Sequence, residues 1–132
     1  MIKKIIRKKE EWKKILTPLQ YKVMVEKGTE PSFDNEYNKL DKDGIYHCSA
    51  CNLPLFSSKD KYNSGTGWPS FTQPIIRENV ELVPIGDYSE VLCARCELHL
   101  GHIFNDGPSP TGNRFCMNSV ALKFYPENKY YA

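Results

Sequence analysis

The chain has 132 residues, of which 40% are hydrophobic and 26% are charged, and its formal net charge is +2. This length predicts one domain, spanning residues 1–132, with a modest core that a bound metal would help to stabilise. The balanced charge excludes a general attraction to nucleic acid, and no apolar run is long enough for a membrane span or a secretory signal. We therefore expect a cytoplasmic protein.

The charge is unevenly distributed, because residues 1–14 carry seven basic and two acidic side chains while the remainder carries eleven basic and fourteen acidic ones. We call residues 1–14 the basic arm. A basic arm either contacts nucleic acid or a membrane, or forms the solvated face of a helix, and we favour the solvated face. Residues 1–28 are predicted to be a helical segment that packs or docks. Trp12, Ile15 and Leu16 lie on one face of its first part.

A second helix is predicted to begin at Thr17. Thr17 can cap it, Pro18 suits its first turn, and Gln20 completes a capping box. Leu19, Val23 and Met24 supply its apolar stripe, and Gly28 suits its end.

From residue 29 onwards the helical periodicity disappears, and short apolar runs alternate with Gly, Pro, Asn and Asp. This pattern predicts short antiparallel strands, whereas residues 105–113 read as a loop. The predicted strands are 44–47, 80–83, 90–92 and 119–125.

Two Cys-x-x-Cys pairs are the most specific motif in the chain. Four thiolates in two short loops match the tetrahedral preference of a structural zinc ion, so we predict one zinc per chain. A redox dithiol, a zinc deaminase site and an iron–sulfur cluster fit less well, since the sequence lacks a βαβ context, a His-x-Glu motif and close cysteine spacing. The predicted ligands are Cys48, Cys51, Cys93 and Cys96.

The fifth cysteine, Cys116, is either a small buried apolar side chain or a reactive thiol. Alternation in a strand would place Arg114, Cys116 and Asn118 on one face, and a nearby cation lowers the pKa of a thiol. His99 and His102 are either functional side chains or solvent-exposed ones, and the sequence favours neither. His47 adjoins a zinc cysteine. Trp68 and Phe71 follow a glycine-rich turn and offer an aromatic wall.

Taken together, these motifs resemble the peptide-methionine (R)-S-oxide reductases, the B-type methionine sulfoxide reductases. The resemblance runs from about Trp12 to Tyr125. It is carried by both cysteine pairs and by Thr29–Tyr37, Gly67–Phe71, His99–Pro108 and Arg114–Ser119.

The resemblance implies a mainly β fold of two antiparallel sheets, tent-like around a four-cysteine zinc core, with short N-terminal helices. It implies that Cys116 is the nucleophile, that His99, His102 and Asn118 hold water and the sulfoxide oxygen, and that Arg114 tunes the thiolate. It assigns substrate contacts to Trp68, Phe71 and Phe115, with Trp68 against the S-methyl group. Asp106 supports a loop.

The implied chemistry is attack of the Cys116 thiolate on the sulfoxide sulfur, protonation of the oxygen by His102 or His99, and formation of a sulfenic acid. Many relatives carry a resolving cysteine where this chain has Thr66. We therefore expect an external thiol, thioredoxin first and glutaredoxin or a small thiol second, to reduce Cys116. Attack by a zinc-bound cysteine would cost the metal site.

The expected partners are thus oxidised proteins or peptides that contain methionine sulfoxide, together with a thiol reductant, and neither a membrane nor nucleic acid. The competing hypothesis is a zinc-stabilised nucleic-acid- or protein-binding module without catalysis. Such a module would need neither Cys116 nor Trp68, and it would carry a basic surface that residues 15–132 do not favour.

Overall fold

The computed structural model describes residues 2–127 and shows a mainly β protein with two antiparallel sheets and short helices. Met1 of the predicted helical segment and positions 128–132 of the predicted domain lie outside the described residues. None of the helices within residues 2–127 has the length and apolar character needed to cross a bilayer.

The N-terminal helices are shorter than the sequence predicted. Helix α1 spans Lys9–Ile15, and helix α2 spans Pro18–Gln20 and continues as a π-helical turn over Tyr21–Val25. The predicted capping box at Thr17 is confirmed, because its hydroxyl accepts a hydrogen bond from the main chain of Gln20. Trp12 and Leu16 are buried as expected, whereas Ile15 is exposed.

Residues 2–8 are not helical, so the prediction for this part of the arm is wrong. The Ile5 amide donates to the carbonyl oxygen of Arg95 at 2.8 Å, and the Lys4 ammonium donates to the carbonyl of Ala94 at 2.7 Å. Lys4 also forms ion pairs with Glu81 and Glu97. The arm is therefore held against the loop between Cys93 and Cys96 by contacts distant in sequence, which helical periodicity does not reveal.

The first sheet has three strands in the order β2-β1-β9, and the second has six in the order β3-β4-β8-β7-β6-β5. Three 3-10 turns lie between the strands, over Ser58–Asp60, Arg77–Asn79 and Ser119–Ala121. The strands are β1 Gly44–Cys48, β2 Pro54–Ser57, β3 Lys61–Tyr62, β4 Ser70–Phe71, β5 Val80–Ile85, β6 Tyr88–Cys93, β7 His99–Phe104, β8 Arg114–Met117 and β9 Leu122–Pro126.

An aromatic cluster fills the space between the sheets. The ring of Phe71 in the six-stranded sheet stacks on Phe56 of the three-stranded sheet, with centroids 4.5 Å apart, and meets Tyr46 edge-on at 5.2 Å. Phe115 packs against Phe56 at 5.7 Å. Because alternate residues of a strand face opposite sides, burying Phe71 and Phe115 leaves the intervening positions on the outer face of the larger sheet.

Candidate active site and metal centre

The two Cys-x-x-Cys segments fold into matching turns. In the first, the Cys48 amide donates to the carbonyl of Leu53 and the Asn52 amide to that of Cys48, both at 2.8 Å. In the second, Cys93 and Glu97 repeat the pattern at 3.0 and 2.8 Å. Asn52 and Glu97, each directly after the second cysteine, adopt positive φ angles of 70° and 62°. The same local backbone therefore presents each pair of sulfurs.

The four sulfurs converge on one point. All lie within 4.8 Å of one another, with Cys48 and Cys96 at 3.8 Å and Cys51 and Cys93 at 3.4 Å. A tetrahedral ion with bonds of about 2.3 Å has sulfur–sulfur edges of about 3.8 Å. The spacing and the all-sulfur donor set thus fit a four-coordinate metal ion, and the four cysteines are positioned to hold one.

This metal centre joins the two sheets. Cys48 ends β1 of the three-stranded sheet, and Cys93 ends β6 of the six-stranded sheet, where it pairs with Val80. Cys93 therefore lies at the open end of the β5–β6 hairpin, and the turn at Gly86 lies at the other end. His47, beside the first ligand, forms a 2.9 Å hydrogen bond between its Nδ1 and the carbonyl oxygen of Asn52 and so supports the turn that carries Cys51.

Strand register aligns two of the predicted reactive residues, Cys116 and His102, in one row on the outer face of the larger sheet. Cys116 of β8 lies directly opposite His102 of β7 on one side and Ser70 of β4 on the other. Directly paired residues have Cβ atoms about 4.5–5.5 Å apart. Gly101 permits this close pairing, since a Cβ there would lie 2.1 Å from the Cys116 carbonyl oxygen.

An open cleft of about 450 Å³ lies over this row. Five of the predicted site residues lie together in its lining, namely Cys116, His102, Arg114, Asn118 and Trp68. The other lining residues are Thr29, Thr66, Tyr88, Phe104 and Met117.

Cys116 is partly exposed, and burial and a nearby charge act on its thiol in opposite directions. Burial raises the pKa of the Cys116 thiol, and the Arg114 guanidinium and the Thr66 hydroxyl, which both lower that pKa, do not offset the effect. Arg114 thus lowers the pKa as the sequence predicted, but burial outweighs it. Arg114 itself is fixed by hydrogen bonds to Asp106 at 2.8 and 3.1 Å and by the Phe104 ring 4.3 Å away.

The two histidines occupy different positions. His102 borders the cleft, whereas His99 is buried behind it, with ring centroids 5.1 Å apart. Glu90, a residue that the sequence analysis missed, accepts a 2.7 Å hydrogen bond from Nδ1 of His99 and also meets Lys27 at 3.3 Å. Burial lowers the pKa of both histidines, and the proximity of His99 lowers that of His102 further.

Glu30 is a second residue that the sequence analysis missed, and it organises the other side of the cleft. Its carbonyl accepts a 2.9 Å hydrogen bond from the Trp68 indole, and its amide donates to Oδ1 of Asn118 at 3.1 Å. Its buried carboxylate accepts from the amides of Ser119 and Val120. Asn118 also donates to the carbonyl of Leu100 at 3.1 Å. Trp68 and Asn118 are thus fixed by one acidic residue.

Two predicted substrate contacts are corrected by the structure. Phe71 has 0% and Phe115 3% of its surface exposed, and both rings lie between the sheets. Strand alternation explains this, because Phe115 follows Arg114 and precedes Cys116 and so points the opposite way. Both residues support the cleft floor from behind.

Comparison with known proteins identifies relatives over almost the whole chain. The SelR domain family matches residues 16–126. The peptide methionine sulfoxide reductase MsrB of Pseudomonas putida (strain GB-1) is 50% identical over 133 aligned residues, which cover 96% of this chain and all of that protein. The enzyme of the same name from Methanosarcina barkeri (strain Fusaro / DSM 804) is also 50% identical, over 96% of this chain and 92% of its own.

The fold is also similar to that of solved structures. The crystal structure of the Mis18 'Yippee-like' domain superposes with a TM-score of 0.53 at 17% identity and covers 67% of this chain and 100% of its own. At this identity the match concerns the fold alone.

The metal centre yields a direct prediction. Purified protein should contain one tightly bound metal ion per chain, and Cys51→Ser should lose it, because three sulfurs no longer complete the tetrahedron. The melting temperature should fall by about 10 °C or more, since binding of a structural ion contributes folding free energy. Mass-spectrometric metal analysis and thermal unfolding measure both quantities. Cys116→Ser is the matched control and should keep the metal, and a metal-free but equally stable Cys51→Ser would contradict the assignment.

The environment of Cys116 yields a second prediction. The rate of alkylation by iodoacetamide should rise with pH to a midpoint higher than that of an unburied cysteine, because burial disfavours the thiolate and raises its pKa. Arg114→Met should move this midpoint to still higher pH, since the nearby positive charge is lost. Arg77→Met, which removes a cation outside the cleft lining, is the control and should leave the profile unchanged. A midpoint that moves down in Arg114→Met would refute this role for Arg114.

Proposed function

Because this chain belongs to the SelR-domain family of peptide methionine sulfoxide reductases, and is therefore an oxidoreductase that reduces methionine sulfoxide, we propose that it reduces the R epimer in peptides with Cys116 as the nucleophile. The activity resides in one domain formed by the whole chain. The observation that carries the proposal is the cross-strand pair of Cys116 and His102 beneath a cleft walled by Trp68.

The reaction can proceed from neutral groups. The Cys116 sulfur attacks the sulfoxide sulfur, and His102 accepts the thiol proton and delivers it to the sulfoxide oxygen as negative charge develops there. The attack joins the two sulfurs, after which the protonated oxygen leaves the substrate sulfur as hydroxide and bonds to the Cys116 sulfur. The sulfur–sulfur bond then breaks with its electron pair on methionine, and Cys116 is left as a sulfenic acid. The thiol itself supplies the proton, so no external acid is required.

The lowered pKa of His102 supports its role as the proton shuttle. A neutral imidazole can accept a proton, and a low pKa favours its rapid return to the substrate oxygen. His99 acts through His102, because it is buried and its Nδ1 is bound to Glu90. We therefore assign the proton transfer to His102 and a positioning role to His99.

Selection of one epimer requires three fixed points around the sulfur. Cys116 approaches the sulfur from the sheet, the Trp68 ring receives the S-methyl group, and the Asn118 amide with His102 receives the oxygen. Because Trp68 and Asn118 are both hydrogen-bonded to Glu30, their relative positions are set before the substrate binds. The opposite epimer would direct its oxygen to the aromatic wall, where no polar group compensates for the lost water.

The metal centre is proposed to hold zinc in a structural role. Four cysteine sulfurs complete a tetrahedral shell and leave no position for water or substrate, so the ion supplies only folding stability. The ligands are Cys48, Cys51, Cys93 and Cys96.

The reductant is proposed to be an external thiol. Four of the five cysteines form the metal cluster, and Thr66 lines the cleft beside Cys116, so no second thiol of this chain is free to attack the sulfenic acid. One external thiol forms a mixed disulfide with Cys116 and releases water, and a second thiol restores Cys116. Thioredoxin is the first candidate, and a set of cysteines that form no disulfide suits the reducing cytoplasm.

Turnover of resolved epimers tests the activity. With a thiol reductant, the protein should reduce an N-terminally blocked peptide containing methionine R-sulfoxide, with at least about a hundredfold preference over the S epimer. Cys116→Ser should abolish turnover while keeping the metal, since only the nucleophile is removed. The measurement is chromatographic separation of sulfoxide and methionine peptides. Equal rates on both epimers would refute the stereochemical assignment, and full activity of Cys116→Ser would refute the nucleophile.

A single-turnover experiment tests the one-cysteine cycle. One equivalent of substrate without reductant should increase the protein mass by one oxygen atom at Cys116, and a sulfenic-acid reagent such as dimedone should trap it there. Thr66→Cys offers the informative comparison, because a second thiol in the cleft should convert the product to an internal disulfide. A Cys116 disulfide with a metal-cluster cysteine in the unaltered protein would exclude the proposed cycle.

A further inference from the structure

An apolar surface extends from the cleft to the edge of the larger sheet, and the reaction does not account for it. Register places a second row of side chains beside the reactive one and on the same outer face, with Ile85 opposite Tyr88 and Phe104 opposite Arg114. Val83 lies opposite Glu90, at the end of the reactive row. We name the apolar members of these rows the hairpin stripe. Its members are Val83, Ile85, Tyr88 and Phe104.

The stripe is exposed although it is apolar. Val83, Ile85 and Tyr88 have 40%, 43% and 38% of their surfaces exposed at the end of the β5–β6 hairpin. The Tyr88 ring connects them to the cleft, since it lies 5.2 Å from the Phe104 ring and 5.4 Å from the His102 ring. Tyr88 therefore belongs both to the stripe and to the cleft lining, and the two surfaces are continuous.

Two charged groups beside the stripe are paired within the protein. Glu90 is buried against His99 and Lys27, and Arg114 is paired with Asp106. Asp87 is exposed in the hairpin turn between Ile85 and Tyr88, at the far end of the stripe from the cleft. Between that turn and the cleft the stripe presents an exposed apolar surface, and an apolar side chain gains by covering it.

We propose that the hairpin stripe is a specificity subsite that binds an apolar side chain of the substrate polypeptide, four residues from the oxidised methionine. The inference rests on the proposed function, since it requires methionine sulfoxide at Cys116. Methionine is mostly a core side chain, so its neighbours in a damaged or unfolded segment are commonly apolar.

The spacing of the sheet sets the position of that residue. Strands lie about 4.8 Å apart, and Val83 is three strands from Cys116, or about 14 Å. In an extended peptide that crosses the strands, side chains four residues apart point to the same side and lie about 13 Å apart. A side chain three residues away points to the opposite side and misses the stripe.

The experiment compares capped eleven-residue peptides with methionine R-sulfoxide at the centre of a serine–glycine background. One peptide carries leucine four residues away on both sides, the second carries leucine three residues away, and the third carries serine at all these positions. The first should have a kcat/KM about fivefold higher than the third, which corresponds to burying roughly half of a leucine side chain. The second should resemble the third.

Variants locate the effect. In the double variant Val83→Thr/Ile85→Ser the ratio of kcat/KM between the first and third peptides should fall close to one, because the stripe loses its apolar surface. Ile76→Ser is the matched control, since Ile76 is 50% exposed and lies outside the cleft lining. It should preserve the fivefold ratio.

The outcomes separate this inference from the proposed function. If all three peptides are reduced equally, or if leucine at three residues gives the same gain as at four, the subsite is refuted while the activity stands. If no R-sulfoxide peptide is reduced, the proposed function itself fails. Analytical ultracentrifugation at the assay concentration provides the remaining check. A dimer of the unaltered protein that dissociates in the double variant would mean that a second copy covers the stripe. This result would overturn the proposal.

Discussion

The convergence of four cysteine sulfurs is the constraint on which the other features depend. The two cysteine turns belong to different sheets, so a metal ion bound between them links the end of β1 to the end of β6. The aromatic contacts of Phe71 with Phe56 and Tyr46 connect the same two sheets. For a chain of this length, whose apolar core is modest, an ion bound by the four sulfurs would reduce the number of unfolded arrangements and support the placement of β7 and β8.

Strand register converts this frame into a chemical site. Side chains alternate between the faces of a strand, so a slip of one residue between β7 and β8 would turn Cys116 into the core and Phe115 into the cleft. The aromatic packing of Phe115 and the absence of a side chain at Gly101 both oppose that slip. The burial of the core thus fixes the position of Cys116, and both stability and the geometry of the cleft depend on the same pairing.

Much of this arrangement follows from the sequence alone, because its signals are local. The cysteine pairs, the capping box at Thr17 and the shared face of Arg114, Cys116 and Asn118 need only spacing and alternation. The same alternation places Phe115 on the opposite face, a consequence that the family resemblance obscured. Glu30 was missed because its partners lie about 90 residues further along the chain, and Glu90 because its pairing with His99 depends on the register of β6 against β7. No local pattern marks a carboxylate that will be buried. The direction of the thiol pKa was likewise inaccessible, since it depends on whether burial outweighs a visible cation.

Glu30 shows why such a hidden residue matters for catalysis. Burial raises the pKa of its carboxyl group, yet the amides of Ser119 and Val120 donate to it and favour the charged form. The resulting anchor lies at the start of a 3-10 turn and holds Trp68 through its carbonyl and Asn118 through its amide. Trp68 and Asn118, which form two walls of the cleft, are therefore both held in place by the same buried residue, Glu30. Discrimination between sulfoxide epimers depends on the relative placement of an apolar wall and a polar one, so the epimer selection proposed above would be a property of the core packing as much as of the residues that touch the substrate.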